Sequence, residues 1–286
     1  MYLEKMKKFR IGKNSKIIAD HIDIHPSVKI GKNVNIKCDT IKIGEFCIIG
    51  DNVTIECRSF EADSWLFMWH GVEIGRGGCS SPNSNVKIGK GVGIFENTVI
   101  NPSESVEIGD NCGIGADVMM WTHGAWLDIT QGFPADFGPI KIGDNVWLPA
   151  RSVVLPNVTI GNDVVIGINS IVNRSLPSGC LAAGSPCKVL KENVYPKKLS
   201  EDAIKVMVEG ILSDWEIQCD MKKITRTIKV RYENQKIYLY QSNFETIYNI
   251  DERTITGHIN NVSEDLRDYL RRRGIKIYTD RFFKSI

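Results

Sequence analysis

Branched apolar residues recur at every sixth position along most of this chain, and that period leaves few folds open. The cleanest run is Ile142, Leu148, Val154, Ile160, Ile166 and Val172. Val146, Val158 and Val164 stand four places after their anchors, and Ser152 and Ser170 take equivalent smaller slots. Earlier blocks repeat the frame as Ile24, Ile30, Ile36, then Ile43, Ile49, Ile55, then Ile88, Ile94, Ile100, then Ile108, Ile114, Met120, with phase slips between them. An α-helix would set apolar residues three and four apart, and the interspersed Gly, Asn and Asp would weaken it. Six residues suffice instead for one short strand and one turn, with the anchor inward and Gly, Asn or Asp in the turn. Three such sides close a triangular coil, and stacked coils form a solenoid in which each layer buries its face only against its neighbours. The period therefore predicts a mainly β chain with a parallel β-helix over residues 1–190; it leaves the hand of the helix open.

Two stretches interrupt the period, near residues 59–85 and 124–139, and are expected as loop insertions, which in a compact solenoid are more often functional than accidental. The second begins directly after His123 and carries Trp126, Phe133 and Phe137, aromatic groups able to cover a neighbouring site. Beyond the repeat, Ser200 followed by Glu201 and Asp202 reads as a helix start, predicting a helical connection over residues 191–220 that ends before Asp214 and packs on the solenoid. Residues 221–286 read as a small α/β domain. TRTIKVRYENQKIYLYQ turns like a hairpin, RTITGH is a further strand, Val262 to Arg273 is a helix closed by Gly274, and IKIYTD returns to strand.

Composition narrows the function classes. With 36 basic and 34 acidic residues, a formal charge of +2 gives no electrostatic support for nucleic acid or membrane binding. No stretch approaches the roughly 20 continuous apolar residues of a membrane span. The start, MYLEKMKKFRIGKN, lacks the apolar run of a secretory leader, and the eight cysteines are dispersed without a C-x-x-C pair. Reduced thiols in a cytoplasmic protein are the expectation.

The runs WTHGAW and IGDNVWLPARSVVLPNVTIGNDVVIGINSIVNRSLPSGCLAAGSPCKVL resemble the sugar and xenobiotic acyltransferases of the hexapeptide-repeat superfamily. The likeness covers about residues 11 to 190 and is most specific over about 120 to 190. It implies a left-handed β-helix, acyl-coenzyme A as co-substrate without a metal, and a homotrimer with active sites between subunits. It also implies His123 as the general base, since imidazole, with an ordinary pKa of about 6.5, is mostly neutral and able to accept a proton at neutral pH. Glu96, Asn97 and Asn101 fall where relatives carry acceptor-binding or oxyanion-supporting groups. Asp128 either orients the imidazole or caps the loop. The coenzyme groove is assigned to Trp147, Gly167, Ser170, Ala183, Gly184, Pro186 and Lys188, with Arg151, Arg174 or Lys191 as further phosphate partners. Cys187 departs from the Ala usual after that Pro and is a small apolar substitute.

The acceptor implied is a nucleotide-linked amino sugar of surface-polysaccharide synthesis, with sugar O-acetylation as the alternative. Two other classes compete. A zinc enzyme built on a β-helix needs three converging histidines, and the five here, at 21, 25, 70, 123 and 258, are dispersed in repeat count. A noncatalytic trimeric scaffold would use the repeat alone, against which His123 and the closing AGSPCK speak.

Overall fold

The computed structural model describes residues 9–224 and 228–286, so the start of the expected hairpin, residues 225–227, and most of the leader reading lie outside the described residues. The six-residue anchors stack as the period requires. On the first face of the solenoid Ile30 pairs with Ile49, Ile49 with Met68, Met68 with Ile94, Ile94 with Ile114 and Ile114 with Leu148, all in parallel register. Strands such as Asn35–Lys37 build the second face and strands such as Thr40–Ile43 the third, giving sheets of ten, eight and seven strands among the described residues. Successive layers lie about 4.8 Å apart, the spacing of a parallel ladder. One continuous apolar core results, in which Ile36, Ile55, Ile74, Ile94 and Ile114 are fully enclosed. Each such side chain contributes about 1.5–3 kcal/mol on burial.

The first interruption is shorter than the period implies. Residues 59–74 form a complete coil, with strands Ser59–Ala62, Phe67–Met68 and Glu73–Ile74. Its inward slots hold Phe60, Ala62, Leu66 and Met68, so a large and a small side chain share the volume that two branched residues fill elsewhere. The insertion proper occupies only residues 75–84, between the strands Glu73–Ile74 and Asn85–Ile88. The second interruption lies where expected, between His123–Gly124 and Ile140–Ile142. A closing strand, Lys188–Lys191, runs antiparallel to Leu181–Ala183 and ends the first face.

Contacts divide the chain at residues 197 and 198, and the second unit, Lys198–Ile286, has its own core. Helix α1 spans Glu201–Met221 with Ser200 capping Ala203 N–H, and thus runs past Asp214. Its apolar stripe of Val208, Leu212, Trp215 and Cys219 packs with Ile237, Leu239, Tyr248 and Leu266, so the helix belongs to this unit's core. Four antiparallel strands follow: Ile228–Glu233, Lys236–Gln241, Phe244–Asn249, which the sequence reading had missed, and Thr254–Gly257. Helix α2 covers Asn261–Arg272 with an Asn260–Ser263 capping box, and Gly274 follows at φ 89°. The segment IKIYTD, expected as a strand, is irregular: the Ile277 carbonyl accepts from the buried Arg267 guanidinium instead of from a neighbouring strand. Nearby, burial works to raise the Asp265 carboxyl, but bonds from Lys222 Nζ at 2.7 Å, Ile286 N–H and Trp215 Nε1 override it and hold its pKa below the usual value.

Candidate active site at the insertion-bearing corner

Two of the three corners are built almost alike in every layer. Between the first and second faces a residue with positive φ turns the chain in coil after coil: Asn33, Asn52, Gly71, Asn97, Asp117, Arg151 and Asn169. Asn tolerates that conformation better than other non-glycine residues, and its amide reaches the layer above. Asn33 Nδ2 donates to Asn52 Oδ1 at 3.0 Å, and Asn97 Nδ2 to Asp117 Oδ1 at 3.3 Å. Asn97 is thus a rung of a structural ladder, and its neighbour Glu96 receives Asp117 N–H on its carbonyl. The structure places both on this regular corner and away from His123.

The corner between the second and third faces is different. It carries the insertion at residues 75–84, the long loop at 124–139 and, between them, Asn101, Ser103, Thr122 and His123. The short strand His123–Gly124 pairs antiparallel with Asp136–Phe137, and the Phe137 ring stacks on the imidazole at 5.6 Å and 20°. Phe137 therefore covers His123, while Trp126 stands almost fully exposed at 95%. Trp121 meets the imidazole edge-on at 6.2 Å.

Both bonds to the imidazole engage Nδ1. It lies 2.8 Å from Asn101 Oδ1 and 2.9 Å from Ser103 Oγ. A carbonyl oxygen only accepts, so Nδ1 carries the proton in the neutral ring. Nε2 then holds the lone pair and has no bonded partner among the described residues. The Asn101 side chain is wholly buried, whereas His123 is half-buried. Thr122 Oγ1 donates to the Asn101 carbonyl at 2.8 Å and accepts Glu104 N–H at 3.0 Å, tying the two layers together. Ser103 and Thr122 are site residues that sequence reading missed; the only signal was polar side chains falling beside the insertion-bearing corner.

Asp128 lies in the long loop at the N-cap of its 3-10 turn. Its carboxylate accepts from Thr130 N–H at 2.9 Å and Thr130 Oγ1 at 2.7 Å, capping the single 3-10 turn Ile129–Gln131. Those bonds, led by the Thr130 hydroxyl, hold its pKa below the usual carboxylate value.

The residues expected to line the coenzyme groove cluster on the first face and the regular corner of the last coils. Trp147 is 42% exposed and lies over Gly113, where an added Cβ would stand 2.4 Å from the indole. Ser170 is fully buried: its hydroxyl donates to Gly167 O at 2.6 Å and accepts Gly184 N–H at 3.0 Å. It staples two backbone segments and offers no side-chain contact to a ligand. Gly184, at φ 107°, Pro186 and Lys188 are exposed, and Ala183 is half-buried with its Cβ 2.6 Å from where a Gly167 side chain would begin. Small residues here leave backbone bare, which suits a thin pantetheine-like chain.

Three of the remaining histidines have separate partners. His25 contacts Ser27 and Glu45, His70 accepts Asp51 N–H, and His258 stacks on Phe244. Among the described residues no helix is long and apolar enough to cross a membrane.

Residues 139–174 match the family described as Bacterial transferase hexapeptide (six repeats). That match falls on the last coils of the solenoid. Galactoside O-acetyltransferase from Escherichia coli is 37% identical over 114 residues, which are 39% of this chain and 56% of that protein. The chain spans about half the length of such curated relatives. The crystal structure of the polySia specific acetyltransferase NeuO aligns over 75% of this chain and 96% of that one, at 22% identity and a TM-score of 0.46. A mutant form of GDP-perosamine N-acetyl transferase from Caulobacter crescentus, in complex with CoA and GDP-perosamine, aligns over 62% of this chain and 58% of that one, at 20% identity and a TM-score of 0.35.

Proposed function

We propose that this protein transfers an acetyl or other short acyl group from acyl-coenzyme A to a sugar. The observation that carries the reading is His123, whose Nδ1 is held by Asn101 and Ser103 while Nε2 faces no protein partner among the described residues. His123 Nε2 takes the proton of the acceptor hydroxyl or amine as that atom attacks the thioester carbonyl. The carbon–sulfur bond then breaks, and the departing thiolate recovers the proton from the imidazolium. Trp147, Gly167, Ala183, Gly184, Pro186 and Lys188 hold the coenzyme, with Lys188 toward its phosphates, and Ser170 shapes that groove from beneath. Within one chain His123 lies on a different corner from these residues. That separation supports a trimer in which one subunit supplies the base and its neighbour the groove.

The 37% match to a galactoside O-acetyltransferase supports a sugar hydroxyl as acceptor. A nucleotide-linked amino sugar of surface-polysaccharide synthesis is the second reading, favoured by the additional unit of residues 198–286, which suits a bulkier acceptor. Purified protein given acetyl-coenzyme A is expected to release free thiol with one of these acceptor classes and not without acceptor, with the product identified by mass spectrometry. Absence of both thiol release and coenzyme A binding across sugars and amino-sugar nucleotides overturns the enzyme reading and leaves the scaffold.

A further inference from the structure

Asn101 was placed by resemblance among the acceptor-binding groups, but it is wholly enclosed, and its amide has a different set of neighbours. Its Nδ2 lies 3.0 Å from Gly75 O, 3.1 Å from Arg76 O and 3.0 Å from Gly77 O. Three consecutive carbonyls therefore converge on one amide nitrogen. They can do so because Gly75, Arg76, Gly77 and Gly78 all have positive φ, at 154°, 67°, 92° and 70°, a conformation that the three glycines adopt without strain and Arg76 does not. The segment is also pressed onto the next layer: a Cβ on Gly78 would stand 1.8 Å from Ser103 Oγ, and Ser103 Oγ donates to Gly77 O at 3.3 Å.

We propose that the insertion opening with Gly75–Gly78 is a tautomer clamp for the base, with Asn101 and Ser103 as positioning residues and not acceptor ligands. The inference rests on the reading of His123 as general base. The three carbonyls accept only, so the Asn101 amide must turn its NH2 toward them and its Oδ1 toward His123. The opposite flip would set oxygen against three oxygens and NH2 against the Ser103 N–H, which lies 3.3 Å from Oδ1. With Oδ1 fixed, His123 Nδ1 must carry the proton. Ser103 reinforces this: its hydroxyl proton goes to Gly77 O, leaving its lone pair to accept from the same Nδ1–H. An imidazole without such partners exchanges between two tautomers, and only the one with Nε2 bare can accept a proton from a substrate on the open side. A glycine-rich insertion two layers from the histidine thus sets which nitrogen reacts.

The test is nitrogen-15 NMR of the full chain with labelled histidine, His123 being identified by the signal lost in His123→Asn. Wild type is expected to show one neutral tautomer with Nδ1 protonated; Asn101→Ala and Gly78→Ala are expected to show both tautomers. Turnover should fall about ten- to a hundredfold in each with KM for acyl-coenzyme A unchanged, as for a misoriented catalytic group. Should Gly78→Ala fail to fold by thermal melt, Ser103→Ala takes its place, with a smaller shift in the same direction. A wild-type spectrum with Nε2 protonated, or Asn101→Ala keeping both a single tautomer and normal kcat, overturns the clamp. If His123→Asn is inactive while Asn101→Ala is normal, the base survives and only the clamp fails. A locked tautomer in a protein whose His123→Asn variant is fully active would instead remove the base and leave the clamp without a catalytic purpose.

Discussion

Two corners of the same solenoid turn the chain in different ways and do different things. At the corner between the first and second faces, Asn33, Asn52, Asn97 and Asn169 turn the chain in the left-handed region, and side-chain amides bond from layer to layer. At the corner between the second and third faces, coils depart from one another, and the departures gather Asn101, Ser103, Thr122 and His123 beneath Phe137. Repetition makes a corner rigid and interchangeable, because each rung meets a neighbour built on the same turn. Chemistry needs a rung unlike its neighbours, held by groups found nowhere else in the repeat. Layers stacked above and below, already rigid, make that local irregularity tolerable.

The comparison can be broken by substitution at each corner, and the largest effect is expected at the irregular one. His123→Asn should cost about two to four orders of magnitude in turnover while coenzyme A binding and the melting temperature stay at wild-type values. Near-normal turnover would show that the irregular corner is no active site. At the regular corner, Asn33→Ala should do the reverse. It sets a residue without the amide that eases the left-handed conformation at φ 56° and removes the bonds to Asn14 and Asn52, lowering unfolding free energy by about 1–2 kcal/mol without changing kcat. Asn33→Gly should recover most of that loss in the same denaturant titration; if both variants are equally destabilised, the amide ladder and not the backbone conformation dominates. The smallest effect is expected from Asp128→Ala. The loop's 3-10 turn loses its cap, seen as faster hydrogen exchange over residues 128–132, while turnover stays at the wild-type level. A hundredfold loss there would return Asp128 to a role on the imidazole.

The second unit shows another route to the same lesson. Its helix α2 buries Glu264, Asp265, Arg267 and Asp268 together, with Arg267 Nη2 donating to the carbonyls of Arg281 and Phe282. A run reading NVSEDLRDYLRR promises a solvated helix with one apolar stripe. The tail that wraps it converts its polar residues into anchors, which is also why the IKIYTD segment is not a strand. Helix α1 was legible from its cap but not in its length, and the carboxylate that takes the Trp215 indole N–H lies fifty residues further on.

Periodicity alone determined the solenoid, its anchors and the position of the second loop, because an inward side chain every six residues is a local property that repeats regardless of what lies in the next layer. It failed over residues 59–74, where Phe60, Ala62 and Met68 keep the volume but not the residue type. His123 could be named from its neighbours in the chain. What holds it could not: Gly75–Gly77, Asn101 and Ser103 reach the imidazole across three layers, at separations of twenty to forty-eight positions. The tautomer depends on which amide face meets which carbonyl, and only stacking of the folded coils sets those faces against each other.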